Sequence, residues 1–322
     1  MTIGHTGDAG MTPHDSRTAI SYTTMRAFVW FLWLFAVALA AVAVFSYPAW
    51  RLLHPYFDFP FHRIGERIGM LALLLGFVLL ARRLQLADRA SLGYGLARPA
   101  FIHEMLLALA LGVASMLAVV GIMAALGLLE WRTAAAHGTA AALGRSIAGG
   151  VLTGFAVAFI EETFLRGALH TAIERESGTR TAVLLTAVLY SATHFFATYH
   201  IPAEQVGPHS GLDLLGGTLR AFAQPAGILD AFLALFAVGV VLALVRAATG
   251  NIAACIGLHA GWVWVIQVAH DLTQPQRAAH LSFLLSRFDG FVGWLVLAWT
   301  VLLGYPLWRF YVARSARTAR TA

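Results

Sequence analysis

The chain has 322 residues, of which 59% are hydrophobic and only 12% are charged, and its formal net charge is +6. Because soluble domains carry about 25% charged residues, this composition excludes a soluble globular protein and indicates that lipid covers much of the surface. The positive charge does not indicate nucleic-acid binding, since basic residues collect in the cytoplasmic loops of membrane proteins and no arginine-rich face with interleaved aromatic residues is present.

The hydrophobic pattern predicts an all-α fold, a polytopic membrane helix bundle of about eight transmembrane helices, because each crossing needs about 20 mostly apolar residues. In chain order the predicted spans are 26–46, 66–82, 101–127, 148–170, 181–199, 227–247, 251–270 and 290–311. The link between the sixth and seventh spans is short, so we expect these two helices to be antiparallel neighbours.

Three regions follow from this pattern. Residues 1–25 are polar and are predicted to form a disordered cytoplasmic tail, residues 26–311 form a single membrane domain, and residues 312–322 form a basic cytoplasmic tail. Most arginines fall on the side of the predicted bundle that carries both termini, which places both termini in the cytoplasm. The predicted location is the cell membrane, and in a bacterium the inner membrane. The single cysteine, Cys255, excludes an intramolecular disulfide and a Cys-rich zinc site.

Ionisable residues interrupt three of the predicted spans. Glu161 and Glu162 lie in the fourth, His194 in the fifth and His259 in the seventh. An ionisable side chain at the bilayer centre is costly and is expected to face a partner or a cavity. Glu162 and Arg166 are four residues apart and are predicted to form an ion pair. Glu161 is rotated about 100° from Glu162 on a helix, so it is the freer carboxylate and suits general-base catalysis.

Two imidazoles and one carboxylate from different helices allow two kinds of chemistry. They can form a His₂Glu zinc site with one position open to water. Without metal, a Glu–His pair can activate water directly while the second histidine stabilises developing negative charge. Each residue alone has a structural explanation, but their occurrence on three helices in apolar surroundings favours a hydrolytic site.

Three ordered motifs carry a resemblance to a known family. Glu161–Arg166 fits an EExxxR motif, and Tyr190–His194 fits an aromatic residue followed four positions later by histidine. His259–Val263 fits the first position of an HxxxN or HxxxD motif. Over about residues 148–265 the chain resembles the CAAX prenyl protease and bacteriocin-processing family of intramembrane metalloproteases, also called the CPBP or Abi family.

The resemblance implies an intramembrane endopeptidase that hydrolyses a peptide bond with a water activated by Glu161 and His194. It implies that Glu162 and Arg166 shape and charge-balance the site, and that His259 binds metal or stabilises the oxyanion. A divalent metal such as zinc would be held by Glu161, His194 and His259. The implied partners are membrane lipid and a peptide or protein substrate that is membrane-embedded or lipidated.

The third motif departs from the family pattern at Val263, where Asn or Asp is expected. Valine cannot donate a hydrogen bond to an oxyanion, and loss of one such donor typically costs about 10²–10³ in rate. Gln267, two turns beyond His259, is a possible replacement on the same helix.

Two functions of other classes stay open. A non-catalytic membrane partner or bacteriocin-immunity protein that retains the protease fold would explain Val263. A proton-coupled transporter would use the intramembrane Glu and His residues as a relay, although no inverted repeat is visible in the sequence.

Overall fold

A computed structural model describes residues 26–57, 59–132, 139–195 and 199–321. The predicted tail at 1–25 lies outside these residues. The all-helical prediction is confirmed: seven helical segments in the described part of the chain are long and apolar enough to cross a membrane, so the chain is an integral membrane protein.

The regular elements follow the hydrophobic pattern of the sequence, with boundaries that differ from the predicted ones by several residues. In chain order they are α1 Arg26–Leu53, α2 Phe61–Arg83, α3 Arg98–Ala125, β1 Leu129–Trp131, α4 Ala140–Glu162, a π-helical segment Thr163–Leu169, α5 His170–Thr193, α6 Ser210–Ala223, α7 Leu229–Thr249, α8 Ala253–Leu272, β2 Thr273–Pro275 and α9 Trp294–Thr321. Short 3₁₀ turns lie at Ala203–Gln205, Pro225–Gly227 and Ser282–Leu284. Helix α9 continues from the last predicted span into the predicted tail at 312–322.

The fourth and fifth predicted spans share one continuous helical segment, Ala140–Thr193, of 54 residues. Gly178, with φ 80° and ψ 165°, breaks its helical geometry and kinks the chain. Glycine is suited to this position because it adopts a positive φ without steric cost. The chain therefore passes from one predicted span to the next through a kink rather than through a loop.

One end of the bundle gathers the start of α1, the α2–α3 loop, the middle of α5 and the last part of α9. The backbone N–H of Ala27 donates to Glu176 Oε2 at 2.9 Å, and Arg314 Nε donates to Glu104 Oε2 at 2.9 Å. We call this the arginine-rich end, since it carries Arg26, Arg83, Arg89, Arg98, Arg175 and Arg314. At the other end β1 pairs antiparallel with β2, with Leu129 opposite Pro275.

Helix α8 lies at the centre of the bundle between α3 and α4. Its contacts with both neighbours are backbone to backbone: a Cβ on Gly257 would lie 2.1 Å from the carbonyl oxygen of Met105, and a Cβ on Gly154 would lie 2.6 Å from that of Ala260. Small residues allow this close approach of membrane helices. The packing fixes α8, and with it His259, against α4.

Candidate active site

The EExxxR motif lies where helix α4 changes to the π-helical segment. Glu161 and Glu162 end α4, whereas Arg166 lies within the segment. The N–H of His170 bonds to the carbonyl oxygen of Leu165, five residues back. Single π-helical turns inside α-helices are rare and often occur at functional sites.

The ion pair predicted from the sequence is present. Arg166 Nη1 donates to Glu162 Oε1 at 2.9 Å, and both side chains are 0% exposed. Arg166 Nη2 also donates to the carbonyl oxygen of Gly239 on α7, at 3.2 Å. Because a buried charge is tolerated only when it is paired and hydrogen-bonded, these contacts allow both groups to remain charged inside the bundle.

His259 extends this pair from the opposite helix. Its Nδ1 lies 2.8 Å from Glu162 Oε1, the same oxygen that accepts from Arg166. A carboxylate only accepts hydrogen bonds, so His259 Nδ1 carries the hydrogen and donates it. Arg166, Glu162 and His259 therefore form one continuous buried chain of charge-assisted contacts.

Glu161 lies at the other nitrogen of the same imidazole. Its Oε2 is 4.0 Å from His259 Nε2, within ion-pair range but beyond hydrogen-bond length. The Glu161 side chain is 34% exposed, whereas that of Glu162 is 0% exposed. Glu161 Oε2 itself is buried and has no hydrogen-bond partner. One oxygen of the Glu161 carboxylate thus lies in the buried cluster, whereas another part of the side chain is accessible. This agrees with the prediction that Glu161 is the freer of the two carboxylates.

Tyr190 joins the three motifs. The Arg166 guanidinium lies over its ring at 4.6 Å from the centroid, close enough for a cation–π interaction. The same ring contacts the rings of His194 and His259, at centroid distances of 4.5 and 5.8 Å. Tyr190 was predicted only as the aromatic residue of the second motif, and its central position was not predicted. The available signal was its spacing of four residues from His194, about one helical turn, which brings the two rings close together.

His194 lies just beyond the last residue of α5 and is half-buried. Its Nδ1 is 2.7 Å from the carbonyl oxygen of Tyr190. Because a carbonyl oxygen only accepts, Nδ1 carries the hydrogen, and in the neutral imidazole Nε2 presents a lone pair. His194 is therefore oriented as a base or as a ligand through Nε2.

The α2–α3 loop reaches the site through Tyr94. Thr163 Oγ1 donates to the carbonyl oxygen of Phe159 at 2.5 Å, so the Tyr94 hydroxyl, 2.5 Å from Thr163 Oγ1, is the donor in their contact. Burial holds the pKa of Tyr94 above its ordinary value, which keeps the hydroxyl protonated at neutral pH. No feature of the sequence pointed to this contact.

The amide that the third motif lacks at Val263 was predicted to have a replacement at Gln267. Val263 lies one turn from His259 and is half-buried. Gln267 is about 12 Å along the helix from His259, and its amide nitrogen donates to Asp271 Oδ1 at 3.2 Å. The suggestion that Gln267 supplies the amide therefore stays a prediction.

Within the described ranges, no three His, Cys, Asp or Glu side chains are grouped closely enough to hold one metal ion. Glu161, His194 and His259 each keep an atom able to ligate, but their present arrangement does not fit a three-ligand centre. The assignment of these residues as metal ligands therefore stays a prediction.

Residues 143–265 match a family model described as type II CAAX prenyl endopeptidase Rce1-like. The matched region contains all three motifs and nearly coincides with the range at which the sequence resemblance was drawn. No curated protein and no solved structure matches the chain.

Proposed function

We propose that this membrane protein, whose residues 143–265 belong to the Rce1-like type II CAAX prenyl endopeptidase family, is an intramembrane endopeptidase in which Glu161 and His194 activate the hydrolytic water. The observation that carries the proposal is a division of the cluster by burial. Glu161 and His194 are partly accessible, whereas Glu162, Arg166 and His259 are buried.

This division supports two kinds of role. A group that handles substrate and water must be reachable, and only Glu161 and His194 meet that condition among the five residues. The other three are fixed by contacts of 2.8 and 2.9 Å to one another. Such fixed charges suit electrostatic support, since preorganised groups stabilise charge without rearranging during the reaction.

The proposed reaction balances with one water. Glu161 takes a proton from the water, and His194 Nε2 accepts a hydrogen bond from its other hydrogen. The water oxygen bonds to the carbonyl carbon of the scissile peptide, and the carbon–nitrogen bond then breaks. The proton held by Glu161 passes to the leaving nitrogen, which regenerates the carboxylate.

Behind Glu161 lies the buried group of His259, Glu162 and Arg166, which sets the electrostatic environment of the Glu161 carboxylate. His259 Nε2 faces Glu161 Oε2, and its Nδ1 is held by Glu162, whose charge Arg166 balances. A protonated His259 stabilises negative charge on Glu161 or on the oxyanion. The role of Arg166 and Glu162 is then to hold His259 in this orientation.

The substrate we propose is a peptide or protein that reaches the site from the membrane, either membrane-embedded or lipidated. We also propose that both termini are cytoplasmic and that cleavage takes place on the cytoplasmic side. The π-helical segment supports this, because it lies against the arginine-rich end. There a Cβ on Gly167 would lie 2.7 Å from the carbonyl oxygen of Leu92 in the α2–α3 loop. A divalent ion, zinc by the types of donor, stays a separate proposal that metal analysis of the purified protein can test.

A second candidate function is favoured by Val263. If the missing amide donor abolishes chemistry, the protein is a non-catalytic membrane partner or bacteriocin-immunity protein with the same fold. This alternative predicts that a Glu161→Ala/His194→Ala double variant retains full biological activity.

A reconstituted assay separates the two. Purified protein in lipid vesicles is mixed with a farnesylated peptide ending in a CAAX sequence, and with the same peptide without the lipid. We expect Glu161→Gln to lower the cleavage rate by about 10²–10⁴-fold, the usual contribution of a general base. Glu204→Gln, which changes an exposed carboxylate outside the site, is the matched control. Equal cleavage by wild type and Glu161→Gln would refute the proposed role of Glu161.

A further inference from the structure

Arg246 is a second arginine buried within a membrane-spanning helix. It lies near the end of α7 and is 6% exposed. Its Nε donates to the backbone carbonyl of Arg166 at 3.1 Å, and its Nη2 donates to Thr171 Oγ1 at 3.1 Å. These two acceptors lie within the π-helical segment and just after it.

The carbonyl that Arg246 binds lies near the point where the π-helical register returns to the α-helical one. The N–H of His170 bonds to Leu165, five residues back. In an α-helix the next N–H, that of Thr171, would bond four residues back, to Gly167. Such a change of register leaves no helix N–H for the carbonyl of Arg166, and Arg246 supplies a donor in its place. An unpaired backbone carbonyl is costly inside a membrane, so a side-chain donor to it stabilises the π-helical form.

We infer that Arg246 is a positioning residue, which holds Thr163–Leu169 in its π-helical register and so places Arg166, Glu162 and Glu161 in the site. Helix α7 then fixes Arg166 twice: through its side chain at the Gly239 carbonyl and through its backbone at Arg246. A change of one residue in register rotates the following helix by about 100°. Such a rotation would separate Arg166 from Gly239 and from the Tyr190 ring.

The expected effect of Arg246 on catalysis rests on the proposed function, whereas its effect on the backbone register of the π-helical segment does not. Two measurements therefore separate them. The first is hydrogen exchange of the backbone amides of residues 163–171 in purified protein. We expect Arg246→Gln to speed this exchange at least tenfold, while Arg180→Gln, which changes an exposed arginine, leaves it at the wild-type rate.

Thr171→Val sharpens the same experiment. It removes the acceptor of Arg246 Nη2 but leaves the bond from Nε to the Arg166 carbonyl. We expect exchange close to wild type in this variant. Equal acceleration in Thr171→Val and Arg246→Gln, or no acceleration in Arg246→Gln, would overturn the inference.

The variants must also remain folded. Cys255 is the single cysteine of the chain and is 0% exposed, so its protection from a membrane-permeant thiol reagent reports an intact bundle. If Arg246→Gln exposes Cys255, Arg246→Lys takes its place, since it keeps the charge and one donor. Cys255 exposure in both variants would mean that Arg246 supports the whole bundle rather than the segment, which also contradicts the inference.

The second measurement is steady-state cleavage of the farnesylated peptide. We expect Arg246→Gln to lower kcat by about 10²-fold through misplacement of Glu161, with KM and the pH profile unchanged, and Arg246→Lys to recover part of the loss. An unchanged kcat with faster exchange would show that the segment does not position the site. If wild type and Glu161→Gln cleave equally, the proposed function fails, while the exchange data still decide whether Arg246 holds the segment.

Discussion

Replacing Arg166 with methionine tests whether the buried contacts among Arg166, Glu162 and His259 stabilise the helix bundle. The substitution removes the ion pair to Glu162 at 2.9 Å, the hydrogen bond to the Gly239 carbonyl at 3.2 Å and the contact with the Tyr190 ring at 4.6 Å. Methionine fills part of the volume without charge. Of the two side chains that contact Glu162 in this buried group, His259 then remains.

The expected cost follows from the burial of both groups. Removing one member of a buried ion pair typically destabilises a protein by about 3–5 kcal/mol, because the other charge is left uncompensated. The cation–π contact adds to this in a desolvated site, so the upper half of that range is expected. For a chain of this size, with an entropy of unfolding of about 2.1 cal/mol/K per residue, such a loss lowers the Tm by roughly 6–7 °C.

The protein supplies its own probe for the assay. Cys255 is the single cysteine and is fully buried, so a fluorogenic thiol reagent reports thermal unfolding in detergent without further labelling. Arg145→Met is the matched control, because Arg145 is an exposed arginine on helix α4. The control is expected to melt with the wild type.

A double-mutant cycle isolates the pair. Glu162→Gln alone leaves Arg166 uncompensated, and the double variant Glu162→Gln/Arg166→Met removes both charges. We expect the double variant to be more stable than the sum of the single losses by about 0.5–3 kcal/mol, the usual range for residues in contact. Strict additivity, or an Arg166→Met variant that melts like Arg145→Met, would refute the reasoning.

Three further variants test particular contacts of the site. Tyr190→Leu is expected to lower kcat because it removes the ring between Arg166 and the two histidines, whereas Tyr190→Phe keeps the ring; equal rates in both would refute this role. Gly239→Val is expected to lower the Tm measured with the thiol reagent, since a Cβ there would lie 2.9 Å from Ala187 Cα; an unchanged Tm would contradict the close packing. Val263→Asn is expected to raise kcat about tenfold or more by adding an oxyanion donor, and an unchanged or lower rate would place position 263 outside the reacting centre.

The sequence predicted the contacts that depend only on short spacing. Glu162 and Arg166 are four residues apart, so helix geometry alone brings them together. It also predicted that Glu161 is the freer carboxylate, because adjacent residues on a helix point in different directions. The position of His259 beside both carboxylates depends on how the helices pack, which no local sequence pattern encodes. The order of the three motifs, which resembles that of the family, indicated a common site but not its geometry.

The features that the sequence did not reveal arise from backbone register and from long-range packing. The π-helical segment was not predicted, because its one weak helix former, Gly167, does not by itself specify a π-helical register. The contact between Arg246 and the Arg166 carbonyl joins residues 80 positions apart. The fifth span was predicted at 181–199, but α5 ends at Thr193, because the hydrophobic pattern does not mark where backbone geometry changes.

The role of Glu161 in making this bundle a peptidase can be tested most directly by a measurement that does not require a known substrate. Membranes from cells that express wild type, Glu161→Gln or Glu204→Gln are compared for newly formed peptide ends in membrane proteins. We expect a set of cleaved ends that is present with wild type and Glu204→Gln and lost with Glu161→Gln. Identical cleavage patterns for all three proteins, at equal expression and with Cys255 protected, would contradict the claim.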